Sequence, residues 1–176
     1  GFLDGRDVGP KTALDYVDRL ENKMKDLNIG KFATISGRYY AMDRDKRWDR
    51  VLLAYDAIVN GKAKKFDSAR ELIETSYRND IVDEFIVPGV VCENGTISNN
   101  DSIIYVNFRP DRAIQLSTAI TNKDFDGFLI REKLENINFV SMMKYSENVI
   151  SNIAFKPVNL NNTLGDVLSE NGLNQL

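Results

Sequence analysis

Three segments of this chain set arginine beside aspartate. They are Asp4-Gly5-Arg6-Asp7-Val8-Gly9-Pro10, Ser36-Gly37-Arg38-Tyr39-Tyr40-Ala41-Met42-Asp43-Arg44-Asp45 with its continuation to Arg50, and Asn107-Phe108-Arg109-Pro110-Asp111-Arg112. A guanidinium is planar, stays charged at any physiological pH and donates paired hydrogen bonds to phosphate or carboxylate oxygens. Each segment falls where a strand pattern gives way to a helix pattern, the place at which open α/β sheets bind ligands. Arg6, Arg38, Arg44, Arg109 and Arg112 are therefore candidate anion ligands, and together they suggest a pocket for a small phosphorylated acid. Asp7 is the candidate for acid–base work or for holding a substrate hydroxyl. The competing reading makes the same arginines solvated loop charges, paired with Asp7, Asp43, Asp45 and Asp111 at about 0–1 kcal/mol each. On that reading Asp7 is a turn residue capping the helix that follows Pro10. Asp4, beside Gly5, reads as structural.

Composition narrows the chemistry. The chain has 176 residues with 43% hydrophobic content, which supports one domain with its own core. It contains no histidine and one cysteine, so the usual zinc and transition-metal ligand sets are out of reach. The commonest general base and the imidazole of a Ser-His-Asp triad are missing too. Carboxylates, arginines and lysines are what remain, which is thin equipment for a complete enzyme. A net charge of −3 does not favour nucleic acid or an anionic membrane. Tyr39, Tyr40 and Trp48 among basic residues could stack on bases, but Asp43, Asp45 and Asp49 oppose phosphate binding. The absence of a long apolar run and of a leader pattern, with a lone Cys92 read as a small buried hydrophobe, predicts a cytoplasmic protein.

The elements that must position these residues follow from periodicity. Gly1-Phe2-Leu3 reads as the end of a strand running into the first arginine loop. Leu14, Val17, Leu20, Met24 and Leu27 form a helical stripe over 11–28, ended by Asn28 and Gly30, with Pro10 expected in the first turn. Lys31–Ser36 reads as a strand, 47–60 as a helix, and 68–78 as a helix begun by the capping pair Ser68 and Glu71. Phe85–Cys92 reads as a strand broken at Pro88-Gly89. Ser102–Phe108 is the clearest strand, and Pro110 is expected to open the next helix. Phe139–Met143 and Asn152–Phe155 are further strands, and a last helix begins at Thr163. Strands alternating with helices predict an α/β, three-layer α/β/α-type domain with a mixed, partly parallel sheet.

The three arginine segments, with Trp48-Asp49-Arg50, Asp83-Glu84-Phe85 and Asn162-Thr163-Leu164-Gly165, closely resemble cofactor-independent phosphoglycerate mutase along essentially the whole chain. Gly89, Met143 and Ser146 depart from the pattern, standing where threonine, threonine and aspartate are expected. The resemblance implies a monomeric parent that interconverts 3-phosphoglycerate and 2-phosphoglycerate through a phosphoserine intermediate. It implies a phosphatase-like domain, outside this chain, with the nucleophilic serine and two Mn2+ or Mg2+ ions held by aspartates and histidines. No cofactor is expected on this chain. Residues 1–155 would be the inserted substrate-binding domain without its first segment, and 156–176 the linker and helix leading back. A substrate-contacting histidine is then expected upstream of Phe2 and a lysine beyond Leu176. The family's substrate-binding arginines map onto Arg6, Arg38, Arg44, Arg109 and Arg112, and its substrate-contacting aspartate onto Asp7. On this reading the chain alone is inactive, and its partners are the phosphoglycerates and the phosphatase-like domain, not nucleic acid or membrane. The alternative is a free-standing phosphometabolite- or nucleic-acid-binding module.

Overall fold

The computed structural model describes residues 1–156 and 160–174. Its strands form two hydrogen-bonded groups. In the first, β1 (Phe2–Leu3) pairs in parallel with β2 (Thr34–Gly37), β2 pairs antiparallel with β4 (Gly89–Val90), and β4 pairs in parallel with β3 (Lys64–Lys65). In the second, β5 (Ser102–Tyr105), β6 (Asn138–Ser141) and β7 (Asn152–Ile153) are all parallel. The α/β class and the mixed, partly parallel pairing are as the sequence predicts. The division into two ladders, several only two residues long, is beyond what periodicity can reveal.

Each ladder has its own core. The first packs Leu3 and Ile35 against Val17 of α1 (Ala13–Leu27) and against Leu72 and Ile73 of α4 (Ala69–Arg78). The second packs Tyr105 and Phe139 against α3 (Trp48–Tyr55) and α5 (Ile114–Thr121), through Val51, Tyr55, Leu116 and Ile120. Ala41, on the four-residue helix α2 (Arg38–Ala41), belongs to this second core although Arg38 follows directly on β2 of the first. Phe2 of β1 likewise packs against the second core, its ring centroid 5.9 Å from that of Tyr105. The arginine segments lie along this seam.

Local sequence explains most element ends. The Ser68 hydroxyl accepts from the Glu71 backbone N–H and opens α4 as expected. Asn28, in the left-handed conformation at φ 52°, closes α1, and Ile29 N–H bonds back to Met24 C=O in the Schellman manner. The helix expected over 47–60 is α for Trp48–Tyr55 and a π turn for Asp56–Asn60, closed by Gly61. α6 (Leu164–Glu170) carries a Thr163–Asp166 capping box and buries none of its residues. The linker boundary proposed at 155/156 adjoins residues 157–159, which, like 175–176, lie outside the described residues.

Five expectations need correction. Of the strand expected over Phe85–Cys92, Phe85 belongs to a 3-10 turn and only Gly89–Val90 is strand, at the expected break. Leu20 and Leu27 are 50% and 54% exposed, because α1 packs through its first turns only. Pro10 does not begin α1, which starts at Ala13. Pro110 precedes α5 in a turn whose carbonyl accepts from both Ala113 and Ile114. Cys92 lies just beyond β4 and is only partly buried, its thiol lowered by a hydrogen bond from Lys31.

Candidate functional site

A cleft of about 680 Å3 opens at the seam between the two cores. One wall is the end of β1 with Asp4 and Asp7; the other is β5 and its continuation through Asn107 to Arg109, with Arg112. Arg38 and Met42 close it at the base of the seam. Chain separations of more than a hundred residues thus converge on one cavity.

Arg38 is the centre of the site. It is 8% exposed, and its Nη1 donates to Asp4 Oδ1 at 2.6 Å and to Asp7 Oδ2 at 2.9 Å. Burial pulls its pKa down, but the two carboxylates outweigh that and the net shift is upward. Its Nε is buried without a hydrogen-bond partner, so a strong donor is left over after both aspartates are served. Asp7 does not cap α1, whose N-cap is Thr12. Its side chain is 77% exposed at the cleft with Arg38 as its ionic partner.

Asp4 is structural as expected, and also electrostatic. Its Oδ1 accepts the backbone N–H groups of Arg6 and Asp7, both at 3.2 Å, as well as the Arg38 guanidinium. Burial raises its pKa, while the Asp7 N–H, Arg38 and the Arg6 N–H together bring it below the ordinary 3.8. Asp111 behaves alike: burial raises it, and Arg44 and Arg109 lower it to a net depression. A carboxyl depressed in the folded state stabilises above its unfolded pKa and loses that contribution as pH falls through the folded one. Thermal melts taken downward from about pH 5 should therefore show falling stability below the ordinary carboxylate value. Asp4→Asn should flatten that dependence; an unchanged slope would refute the assignment.

The remaining arginines sit differently. Arg109 is on the cleft wall, held by Asp111 through Nε at 2.8 Å and Nη2 at 3.2 Å. Arg44 reaches the same carboxylate at 2.7 Å, so Asp111 couples the second and third arginine segments. Arg112, also on the wall, donates to the Met42 carbonyl at 2.9 Å. Its pKa is lowered, first by burial and then by the positive charges of Arg38 and Arg44, with Asp111 opposing and Arg6 adding to it. Mutual repulsion of this kind records the convergence of guanidiniums, and an incoming anion relieves it. Arg6 and Arg44 do not line the cleft; Arg6 is 62% exposed and meets Glu84 at 3.5 Å.

The aromatic residues of the second segment are occupied inside the protein. Trp48 packs edge-on against Phe125, at 5.2 Å between centroids, and Arg50 lies 3.8 Å over the Tyr39 ring. Sequence reasoning missed Asp43 and Asp83 as organisers of the arginine loops. Asp43, 3% exposed, accepts the backbone N–H groups of Asp45 and Arg47 and so shapes the loop bearing Arg44. An Asp followed at two and four positions by loop residues is the available signal.

The model of the BPG-independent PGAM N-terminus family matches residues 1–147. This chain belongs to that family. Within the BPG-independent phosphoglycerate mutases, it is 51% identical over 176 residues to the 2,3-bisphosphoglycerate-independent phosphoglycerate mutase of Staphylococcus epidermidis, covering 99% of this chain and 35% of the relative. It is 50% identical over 180 residues to the enzyme of that name from Listeria welshimeri, with the same coverage. A crystal structure of Leishmania mexicana phosphoglycerate mutase at low cobalt concentration shares the fold with a TM-score of 0.83 and 30% identity, over 97% of this chain and 34% of that one. The chain spans 35% of the length of its bacterial relatives in the mutase family.

Proposed function

We propose that this chain is the substrate-binding part of a phosphoglycerate mutase that interconverts 3-phosphoglycerate and 2-phosphoglycerate. The observation that carries the reading is the gathering of Arg38, Arg109 and Arg112 on one cleft, with Arg6 and Arg44 close enough for their charge to act at Arg112. A three-carbon phosphoester offers a phosphate and a carboxylate, the two anions a guanidinium cluster binds in bidentate fashion. Asp7, exposed beside Arg38, holds the glycerate hydroxyl or exchanges a proton with it during transfer. Phosphoryl transfer demands positioning and charge neutralisation above all, and those are what this residue set supplies.

The phosphoserine and two Mn2+ or Mg2+ ions belong, on this proposal, to a phosphatase-like domain of a monomeric cytoplasmic parent. The residues present here do not fit such ions. The chain has no histidine, and among the described residues no three His, Cys, Asp or Glu side chains gather into a metal-sized group. This part's contribution is therefore that of its own carboxylates and guanidiniums. Among the described residues, no helix is long and apolar enough to cross a membrane.

Three measurements test the reading. In an enolase-coupled assay the 176-residue chain alone should give no turnover, and robust activity would overturn the division of labour. In the full-length mutase, Arg109→Ala should raise KM for 3-phosphoglycerate by about tenfold, the worth of one charge-assisted contact. Unchanged affinity would remove Arg109 from the site. Titration with single-stranded DNA separates the nucleic-acid alternative, which requires binding there and none to 3-phosphoglycerate.

A further inference from the structure

Asp83 is the most deeply buried carboxylate of the described residues that have no place in the cleft, at 1% exposure. A buried ionised group is costly unless it is fully hydrogen-bonded. Here Oδ2 accepts the backbone N–H of Thr12 at 2.9 Å and of Ala13 at 3.0 Å, and Oδ1 accepts the Tyr77 hydroxyl. All three donors are neutral. Thr12, the N-cap residue of α1, makes no side-chain cap bond of its own. The orphan amides that open α1 are thus satisfied from a segment 70 residues away, where the helix dipole also favours negative charge.

The same segment grips the first arginine loop at three further places. The Asp83 N–H donates to Pro10 C=O at 2.9 Å, behind Asp7 in the chain. Ahead of Asp7, Gly5 presses on the segment so closely that a Cβ there would lie 2.7 Å from Glu84 N and 2.9 Å from Asp83 Cβ. The Glu84 side chain then takes the Arg6 guanidinium. Asp7 is suspended between two fixed points, Gly5 and Pro10, both referred to Asp83-Glu84.

We propose that Asp83 is a positioning residue for Asp7: it anchors the start of α1 and so sets where the Asp7 carboxylate stands in the cleft. The inference rests on the phosphoglycerate reading of the site. It names a residue outside the cleft lining that acts through the loop it holds. Exchange of Asp83 for asparagine preserves size but removes the negative charge at the start of α1 and replaces one acceptor oxygen by a nitrogen that cannot accept, which weakens the anchor of α1.

The test is a mutant cycle in the full-length mutase, with folding followed by circular dichroism. Asp83→Asn should lower kcat about tenfold with KM within about twofold, the mark of a group misplaced in the transition state. In an Asp7→Ala background the same change should lower kcat by less than about twofold, while in an Arg109→Ala background the tenfold loss should persist. A residue of general structural importance would act alike in both backgrounds, and that result overturns the proposal. Tyr77→Phe removes one donor and keeps the carboxylate, so it serves if asparagine prevents folding. It should show the same dependence on Asp7 at about threefold; a full effect without Asp7, or wild-type kcat, counts against Asp83. Wild-type kcat/KM in both Asp7→Ala and Arg109→Ala would instead overturn the phosphoglycerate site itself, and the positioning role with it.

Discussion

Arg38→Ala should cost the full-length mutase at least about a hundredfold in kcat/KM, equivalent to about 3 kcal/mol. The reason lies in how much one guanidinium does. Through Nη1 it holds Asp4 and Asp7 together, at 2.6 and 2.9 Å, while it lines the cleft and its Nε is buried without a partner. Alanine leaves two carboxylates facing a vacated space and removes the guanidinium from the cleft wall. Hydrogen bonds to charged groups are worth about 1.5–3 kcal/mol each, and more than one is lost. Arg38→Lys restores the charge but not the planar fork, so it should recover only part of the activity. Steady-state kinetics on both variants, with melts to exclude unfolding, decides the matter. Activity of the alanine variant within about threefold of wild type would show that Arg38 is a structural cation and not a ligand.

How far the letters alone disclose this arrangement depends on the distance over which each interaction acts. Local chemistry was legible. Ser68 with Glu71, the helix start at Thr163, and Asn28 as a helix stop all occur as the sequence predicts, because each is set by neighbours within a turn. The strand ahead of each arginine segment was legible too, since apolar runs mark it. By contrast α2 is four residues long, too short to display a helical period, and Arg38 therefore read as a loop residue. Arg6 and Arg44 could not be told from Arg38, Arg109 and Arg112, because spacing does not reveal which guanidinium faces a cavity. Asp83 gave no sign beyond its place in a familiar triplet, as its partners Thr12 and Ala13 lie at the far end of the first core's helix. Helix caps supplied from a remote segment have no sequence pattern to read.

Gly37→Ala should destabilise the fold at the upper end of the range for overpacking, about 3 kcal/mol, and should also impair the site beyond that loss. The backbone at Gly37 is ordinary, with φ −68° and ψ 150°, so conformation does not demand glycine. Space does. A Cβ there would lie 2.3 Å from the Glu84 carbonyl oxygen and 2.7 Å from that of Asp83. Both are backbone atoms that no rotamer change can move aside, and Gly37 N–H is itself committed to Ile86 C=O at 2.7 Å. Relief therefore requires β2 and the Asp83–Phe85 turn to separate. Arg38 follows Gly37 directly, and Asp83 anchors the loop of Asp7, so separation pulls the two members of the central ion pair apart. In the fraction that remains folded, kcat/KM should fall by at least about tenfold. Gly172→Ala is the matching control: φ is +70° and nothing lies within 4 Å of the new carbon. Only the left-handed conformation is penalised there, at about 1 kcal/mol, and activity should be untouched. If Gly37→Ala melts like the control and turns over like wild type, the contact between β2 and the turn is slack, and the turn cannot be the element that registers Arg38 against Asp7.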